Sequence, residues 1–124
     1  MSESHPGGAW KKTPERVVEA FEAAVPKAKG IQRRRMFGYP CAFLKGNLFC
    51  GTFQDRVMVR LGVEGKAKAI AQDGARPFEP MPGRPMKEYA EVPEADARDA
   101  AKLAAWLERA HSYAKTLPPK VGGK

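Results

Sequence analysis

Apolar side chains are concentrated in one stretch of the chain, residues 33–61, which reads RRRMFGYPCAFLKGNLFCGTFQDRVMVRL. Turn residues divide this stretch into four predicted strands, at residues 33–37, 41–44, 48–53 and 56–61. In the last strand Val57, Val59 and Leu61 alternate with other side chains, which is typical of a strand with one buried face. The hairpin at residues 41–53 is apolar on both faces, so we expect helices or a second subunit to cover both.

Helical spacing of apolar residues predicts three helices around these strands, at residues 14–25, 62–72 and 94–114. Thr13 and Pro14 are suited to the start of the first helix, and Pro93 precedes the last. In the middle helix Lys66 and Lys68 are predicted to point to solvent. Its buried face is predicted to hold four residues: Val63, Ala67, Ile70 and Ala71.

Residues 73–92 combine an irregular segment with a short alternating one. The segment 73–85 is rich in proline and glycine, which predicts a loop without regular structure. Residues 86–92 alternate in polarity and predict a fifth strand, at the edge of the sheet. Phe78 and Met81 are expected to pin the loop to the core. The loop then either presents Arg84 and Lys87 to a ligand or forms a rigid connection.

Together these elements predict an α+β fold: an antiparallel sheet of about five strands flanked by an N-terminal, a middle and a long C-terminal helix. The length of 124 residues suits one domain, which we assign to residues 13–117. Residues 1–12 are predicted to be a flexible arm and residues 118–124 a tail. The chain has no apolar run long enough for a membrane span and no apolar signal core, so we expect a cytoplasmic protein.

The net charge of +8 and the pI of about 9.7 favour anionic partners, among them nucleic acid. Five basic residues without an acid between them form what we call the basic block: Lys27, Lys29, Arg33, Arg34 and Arg35. On a strand, Arg34 faces opposite to Arg33 and Arg35. The block suits either phosphate contacts or a solvated strand edge, and it lacks a recognition helix. Any nucleic-acid binding is therefore expected to be weak and without sequence preference.

Cysteine and histidine residues offer little catalytic chemistry. A tight turn at Lys45 and Gly46 would place Cys41 directly opposite Cys50. The pair could be buried free thiols, a redox-sensitive pair or part of a metal site, and buried thiols fit the composition best. His5 and His111 lack ligand spacing to a cysteine.

His111 is interpreted as a cation near the end of the last helix rather than as a general base. The sequence contains neither a GxxxxGK[ST] nor a GxGxxG phosphate loop. We therefore expect no metal, no cofactor and no enzymatic activity.

A series of different short motifs follows one another along the chain. No single motif is strong, but their order and spacing together are specific, and they cover about residues 13–120. They are Arg35-Met36-Phe37-Gly38, Phe43-Leu44-Lys45-Gly46-Asn47-Leu48-Phe49, Asp55-Arg56, Arg60-Leu61, Pro77-Phe78, Gly83-Arg84-Pro85-Met86, Tyr89, Val92-Pro93, Trp106-Leu107-Glu108-Arg109-Ala110 and Leu117-Pro118-Pro119-Lys120.

This order resembles the TfoX N-terminal domain family, in its short, single-domain branch. The resemblance implies an α+β domain with an antiparallel sheet flanked by helices, and it supplies no catalytic residues. Better-known members regulate natural competence, are thought to work with transcription machinery, and carry a second, C-terminal helical domain. The present sequence ends at Lys124 without such a domain, so only the N-terminal module carries over.

The expected function is therefore a non-enzymatic regulatory or adaptor domain that binds a protein partner, with transcription machinery as the implied class. The two-sided apolar hairpin also suggests a homodimer or a hetero-complex. The alternative is a weak, non-specific nucleic-acid-binding protein that uses the basic block.

Overall fold

The computed structural model of the chain describes residues 12–80, 83 and 86–120. Within these residues the chain forms a six-stranded antiparallel sheet and four helices, which confirms the α+β fold. The strands are β1 (Ile31–Met36), β2 (Tyr39–Leu44), β3 (Asn47–Phe53), β4 (Arg56–Arg60), β5 (Arg76–Pro77) and β6 (Tyr89–Glu91). The helices are α1 (Glu15–Ala24), α2 (Gly62–Gln72), α3 (Glu94–Ala97) and α4 (Ala100–Ala114). Most of the predicted N-terminal arm, including His5, lies outside the described residues.

The strand order is β1-β2-β3-β4-β6-β5, so the first four strands form a meander and β6 returns beside β4. The prediction that the strand within residues 86–92 lies at the sheet edge is wrong, because β5 pairs along its outer side. The assignment of residues 73–85 as wholly irregular missed this two-residue strand. Pro77 suits the edge position, since a proline has no N–H to donate to a further strand.

One face of the sheet is covered by α1 and α4, and the largest fully buried side chains lie there. Phe21 of α1, Phe49 of β3 and Leu107 of α4 are each 0% exposed. The amphipathic spacing of both helices places these side chains on the side that faces the strands. This helix-covered face carries the main core of the domain.

The single C-terminal helix predicted at residues 94–114 is instead two helices, α3 and α4. Asp99 has an extended backbone, and its carboxylate accepts a hydrogen bond from the backbone N–H of Lys102 at 3.1 Å. An aspartate in this N-cap position satisfies one of the free N–H groups that begin a helix. The indole N–H of Trp106 donates to Asp96 Oδ2 at 2.8 Å and joins the two helices.

The range of α2 agrees with the prediction, but its predicted buried face is wrong. Val63 and Ile70 are 57% and 38% exposed, whereas Gly62 and Ala69 are buried. A methyl group added at Gly62 would lie 2.6 Å from Tyr113 Cε1, so the start of the helix approaches its neighbours too closely for a side chain. Four outward-facing residues form what we call the α2 stripe: Val63, Ala67, Ile70 and Ala71.

The sequence had suggested that helices or a second subunit cover both faces of the hairpin, but on the opposite face the loop that follows β5 packs on the strands, and no described helix does. Phe78 is 3% exposed and packs edge-on against Phe53, with ring centroids 5.5 Å apart. The expected anchoring by Phe78 is confirmed, while Met81 lies outside the described residues. Lys66, predicted to point to solvent, reaches this loop and donates to Met86 O at 2.8 Å.

Candidate functional site

The free edge of the sheet is formed by β1. Within the described sheet β1 pairs only with β2, and all its residues except Ile31 are exposed. An edge strand presents unpaired N–H and C=O groups along its outer side, which makes it a template for another extended chain. This edge is therefore open to a partner.

The basic block is divided between the two faces of the sheet. Arg33 and Arg35 pair with Ala42 and Pro40, while Arg34 pairs with Cys41, so Arg34 faces the opposite side as predicted. The arginines also have local contacts: Arg33 Nε lies 3.7 Å from Glu22 Oε1, Arg34 lies 5.1 Å from the Phe43 ring centroid, and Arg35 donates to Gly38 O at 3.1 Å.

Lys27 and Lys29 are exposed in the segment between α1 and β1. They precede the strand, so the five basic side chains do not form one flat patch. A duplex approaching from one side would contact only part of the block. Phosphate contact by these residues stays a prediction.

The turn between β1 and β2 presents an aromatic side chain to solvent. Phe37 is 80% exposed and adopts a left-handed backbone, with φ of 54°. A bulky residue rarely adopts this conformation, because its Cβ crowds the backbone. Gly38 follows with φ of 84°, where a glycine carries no such penalty. Positive φ at both positions is what a two-residue hairpin turn requires, as at Lys45 and Gly46, and this turn presents Phe37 to solvent.

Phe37 stands beside an apolar pocket of about 170 Å³ on the loop-covered face. Tyr39 and Phe53 pack in its wall with ring centroids 5.3 Å apart. The remaining lining is almost wholly apolar, and three methionines give it side chains that adapt readily to shape. The pocket is lined by Met36, Phe37, Tyr39, Cys41, Leu48, Thr52, Phe53, Met58, Phe78, Pro80 and Met86.

The loop singled out from the sequence borders the same pocket. Its ends are tied together, since Met86 N donates to Phe78 O at 2.9 Å and Phe78 N donates to Tyr89 O at 3.3 Å. Lys87 is exposed in the turn before β6, and Arg84 lies outside the described residues. Their proposed binding role stays a prediction.

The sequence had suggested that Cys41 lies directly opposite Cys50, but the structure shows that it does not. A β-bulge between Ala42 and Phe43 shifts the register, so that Cys41 pairs with Gly51 and Cys50 pairs with Ala42. The two thiols therefore point to opposite faces of the sheet. A bridge between them would require β2 and β3 to shift against each other.

Burial raises the pKa of the Cys41 thiol to about 11 and raises the pKa of Cys50 well above the ordinary value of 9.0. Both thiols therefore stay protonated at neutral pH, whereas nucleophilic attack and metal binding need a thiolate. Cys41 also donates through Sγ to Tyr39 O at 3.3 Å. Among the described residues, no cluster of three or more His, Cys, Asp or Glu residues could hold a metal ion.

These shifts predict alkaline destabilisation. The folded state holds the thiol protons more tightly than the unfolded state, so the contribution of Cys41 is complete below about pH 9 and is lost as pH rises to about 11. In urea unfolding between pH 7 and pH 11, Cys41→Ala should therefore lose less stability over this range than the wild type. Equal losses in the two proteins would contradict the assignment.

His111 lies in the last turn of α4, but its ring is buried, with 6% exposure. It packs against Phe49 at a centroid distance of 5.7 Å, and Nδ1 lies 3.7 Å from Glu108 Oε1. That nitrogen has no hydrogen-bond partner among the described residues. Because the ring lies in the core, it is not accessible to a substrate that a general base would have to contact.

A second cavity, of about 330 Å³, opens near the turn between β3 and β4, on the helix-covered face of the sheet beside α1 and α3. We call it the arginine cleft, because four arginines from four different segments line it: Arg16, Arg56, Arg76 and Arg98. They are far apart in sequence, and only Arg56 belongs to one of the motifs quoted above. Only the fold brings them together, so sequence patterns could not identify this site.

No helix in the described part of the chain has the length and apolar character that crossing a membrane requires.

Comparison with curated proteins finds no match to this chain. The family model described as the TfoX N-terminal domain matches residues 21–114 of the sequence. These residues include the edge strand, the apolar pocket and most of the helical layer. The fold expected from the resemblance agrees with the observed six-stranded sheet and its helices. The chain belongs to the TfoX N-terminal domain family.

Proposed function

We propose that this chain is a cytoplasmic, non-enzymatic regulatory adaptor that binds an extended, acidic segment of a partner protein along β1. The observation that carries the proposal is the outward Phe37, 80% exposed, beside an apolar pocket at the end of the edge strand β1. Transcription machinery is the partner class that the family resemblance favours.

The backbone of β1 supplies the main attachment. A partner strand that pairs with an exposed sheet edge gains main-chain hydrogen bonds, and pockets for alternate side chains then give specificity. β1 spans six residues, a usual length for a strand in a globular protein. Its end at Met36 leads directly to the apolar pocket, so one extended segment can use both features.

Charge selects the partner and opposes self-association. Arg33, Arg34 and Arg35 lie in the middle of the edge and favour a segment that carries aspartate or glutamate. In an antiparallel pair of two β1 strands, arginines would face arginines, which is destabilising. The edge thus suits an acidic partner better than a second copy. The homodimer expected from the sequence remains a separate prediction.

The apolar pocket supplies an anchor position. Aromatic side chains at the centre of an interface often contribute most of its affinity, because they bury a large area with few rotatable bonds. Phe37 and Met36 flank the pocket and are the exposed large apolar residues at this end of the sheet. A bulky apolar side chain of the partner would fill the pocket and cover both.

Peptide selection on the immobilised full-length chain tests the proposal. Selected peptides should combine acidic residues with one bulky apolar residue, and Phe37→Ser should weaken their binding about tenfold or more, as measured by titration calorimetry. The matched control is Val63→Ser with Ile70→Ser, which removes exposed apolar side chains from the α2 stripe at the other end of the sheet. The control should retain wild-type affinity.

Binding that is unchanged in Phe37→Ser but lost in the α2 stripe variant would place the interface on α2 and contradict the proposal. A DNA duplex titrated at two salt concentrations tests the rival function. Binding to the duplex should be weak, and a steep loss with salt is expected for phosphate contacts. Tight duplex binding that falls on replacing Arg33 and Arg34 would favour the nucleic-acid alternative.

A further inference from the structure

The arginine cleft lies at the end of the sheet where β4 begins and β6 ends. Arg16 comes from the first turn of α1, Arg56 from β4, Arg76 from β5 and Arg98 from the residue that follows α3. Its volume of about 330 Å³ falls at the lower end of the range for small-molecule sites. The cleft is thus large enough for a small ligand and is built from several elements at once.

The charges in the cleft are only partly balanced. Arg56 Nη1 lies 3.3 Å from Glu91 Oε1, and Arg98 Nη2 lies 2.7 Å from Glu94 Oε2. Asp55, the third acid of the lining, lies 4.0 Å from Arg56. Four arginines therefore share three carboxylates, and each carboxylate is engaged by Arg56 or Arg98.

Arg16 and Arg76 remain without an ion pair or a side-chain hydrogen bond within the described residues. Arg76 lies across from Glu91 in the β5–β6 register, but the carboxylate of Glu91 contacts Arg56 instead. A guanidinium presents a planar set of N–H donors that match a carboxylate or a phosphate in two parallel hydrogen bonds. The two arginines therefore provide donors suited to an anion at the rim of the cleft.

The floor of the cleft is apolar and protected from water. Val57 is 1% exposed, Val92 is 3% exposed and Leu103 is 0% exposed. Val17, Ala20 and Ala97 complete the apolar lining. Ala20 and Ala97 are partly exposed, so a simple inorganic ion would leave them in contact with water, whereas a ligand with an apolar body would gain from covering them.

We propose that the arginine cleft binds a small organic anion. Its carboxylate or phosphate group contacts Arg16 and Arg76, and its apolar body rests on the floor. The site does not depend on the adaptor function, because β5 and β1 are the two opposite ends of the sheet order. Failure of one proposal therefore leaves the other standing.

Titration of the ¹⁵N-labelled full-length chain tests this site with four probes: phenyl phosphate, benzoate, inorganic phosphate and phenol. At least one aromatic anion should shift the amide signals of Val57, Val92 and Ala97 saturably, with a Kd of about 1 mM or tighter. Inorganic phosphate lacks the apolar body and phenol lacks the anionic group, so each should bind about tenfold more weakly or worse than the aromatic anion. The tighter of the two aromatic anions identifies the head group as phosphate or carboxylate.

The decisive variant is Arg16→Ala with Arg76→Ala, which should weaken the aromatic anion about tenfold or more. Neither arginine has an ion pair with another described residue to lose, so the amide spectrum should stay that of a folded protein. The control, Arg34→Ala with Arg35→Ala, removes two positive charges from the edge strand β1 and should leave the affinity for the aromatic anion unchanged. Saturable shifts for neither aromatic anion, equal binding of inorganic phosphate, or equal losses in both double variants would overturn the proposal.

Discussion

Replacing Phe49 with alanine should lower the free energy of unfolding by about 3–5 kcal/mol, the usual cost of removing a buried phenylalanine. Phe49 lies on β3, in the middle of the sheet, and is 0% exposed. Its ring packs beside His111 of α4, so the substitution leaves a cavity between the sheet and its helical layer. Urea unfolding followed by circular dichroism measures the loss.

The matched control is Phe37→Ala, which removes the same side chain from an 80% exposed position. Surface substitutions usually change stability by less than about 0.5 kcal/mol. A domain with a total stability of about 5–15 kcal/mol should survive the control unchanged and become marginal with the core variant. Similar small effects from both variants would mean that the helical layer does not pack on β3 as described.

Gly51→Ala should be destabilising by about 1–3 kcal/mol, although glycine is a poor residue for a strand. A methyl group at this position would lie 2.8 Å from Cys41 Sγ and 3.0 Å from Met58 Cε. Met58 can move the end of its flexible side chain, but the buried Cys41 on the paired strand has less freedom. Thermal and urea unfolding of the purified variant measure the cost.

A double-mutant cycle separates crowding from other causes. In a Cys41→Ala background the methyl group no longer meets a sulfur, so Gly51→Ala should cost about 1 kcal/mol less than in the wild type. The same cost in both backgrounds would show that the effect arises elsewhere, for example at Met58. The cycle also tests the β2–β3 register, because only the bulged register pairs Gly51 with Cys41.

Local sequence rules correctly gave the elements that strong local patterns specify. The range 62–72 of α2 follows from turn residues at both ends, and the hairpin at Lys45 and Gly46 follows from glycine at the turn. The burial of Phe78 could also be expected, because it is the largest apolar side chain in residues 73–85. The family resemblance, which rests on spaced motifs, is confirmed over residues 21–114.

Features that depend on tertiary contacts could not be predicted in this way. The β-bulge after Ala42 depends on the pairing of two strands, and because of it Cys41 and Cys50 point to opposite faces of the sheet instead of lying opposite each other. Small residues at Gly62 and Ala69 face the rest of the domain because the helix packs closely, which reversed the expected face of α2. The arginine cleft needs α1, β4, β5 and α3 in place before its residues meet.

Because of the β-bulge, the thiols of Cys41 and Cys50 lie on opposite faces of the sheet, and each becomes accessible through a different motion of the protein. Cys41 borders the pocket under the loop that follows β5, whereas Cys50 is enclosed between the sheet and its helices. Opening of the loop alone would admit an alkylating reagent to Cys41, while access to Cys50 requires the helices to leave the sheet. Labelling rates at the two positions therefore separate local opening from global unfolding in the native protein, without any introduced probe.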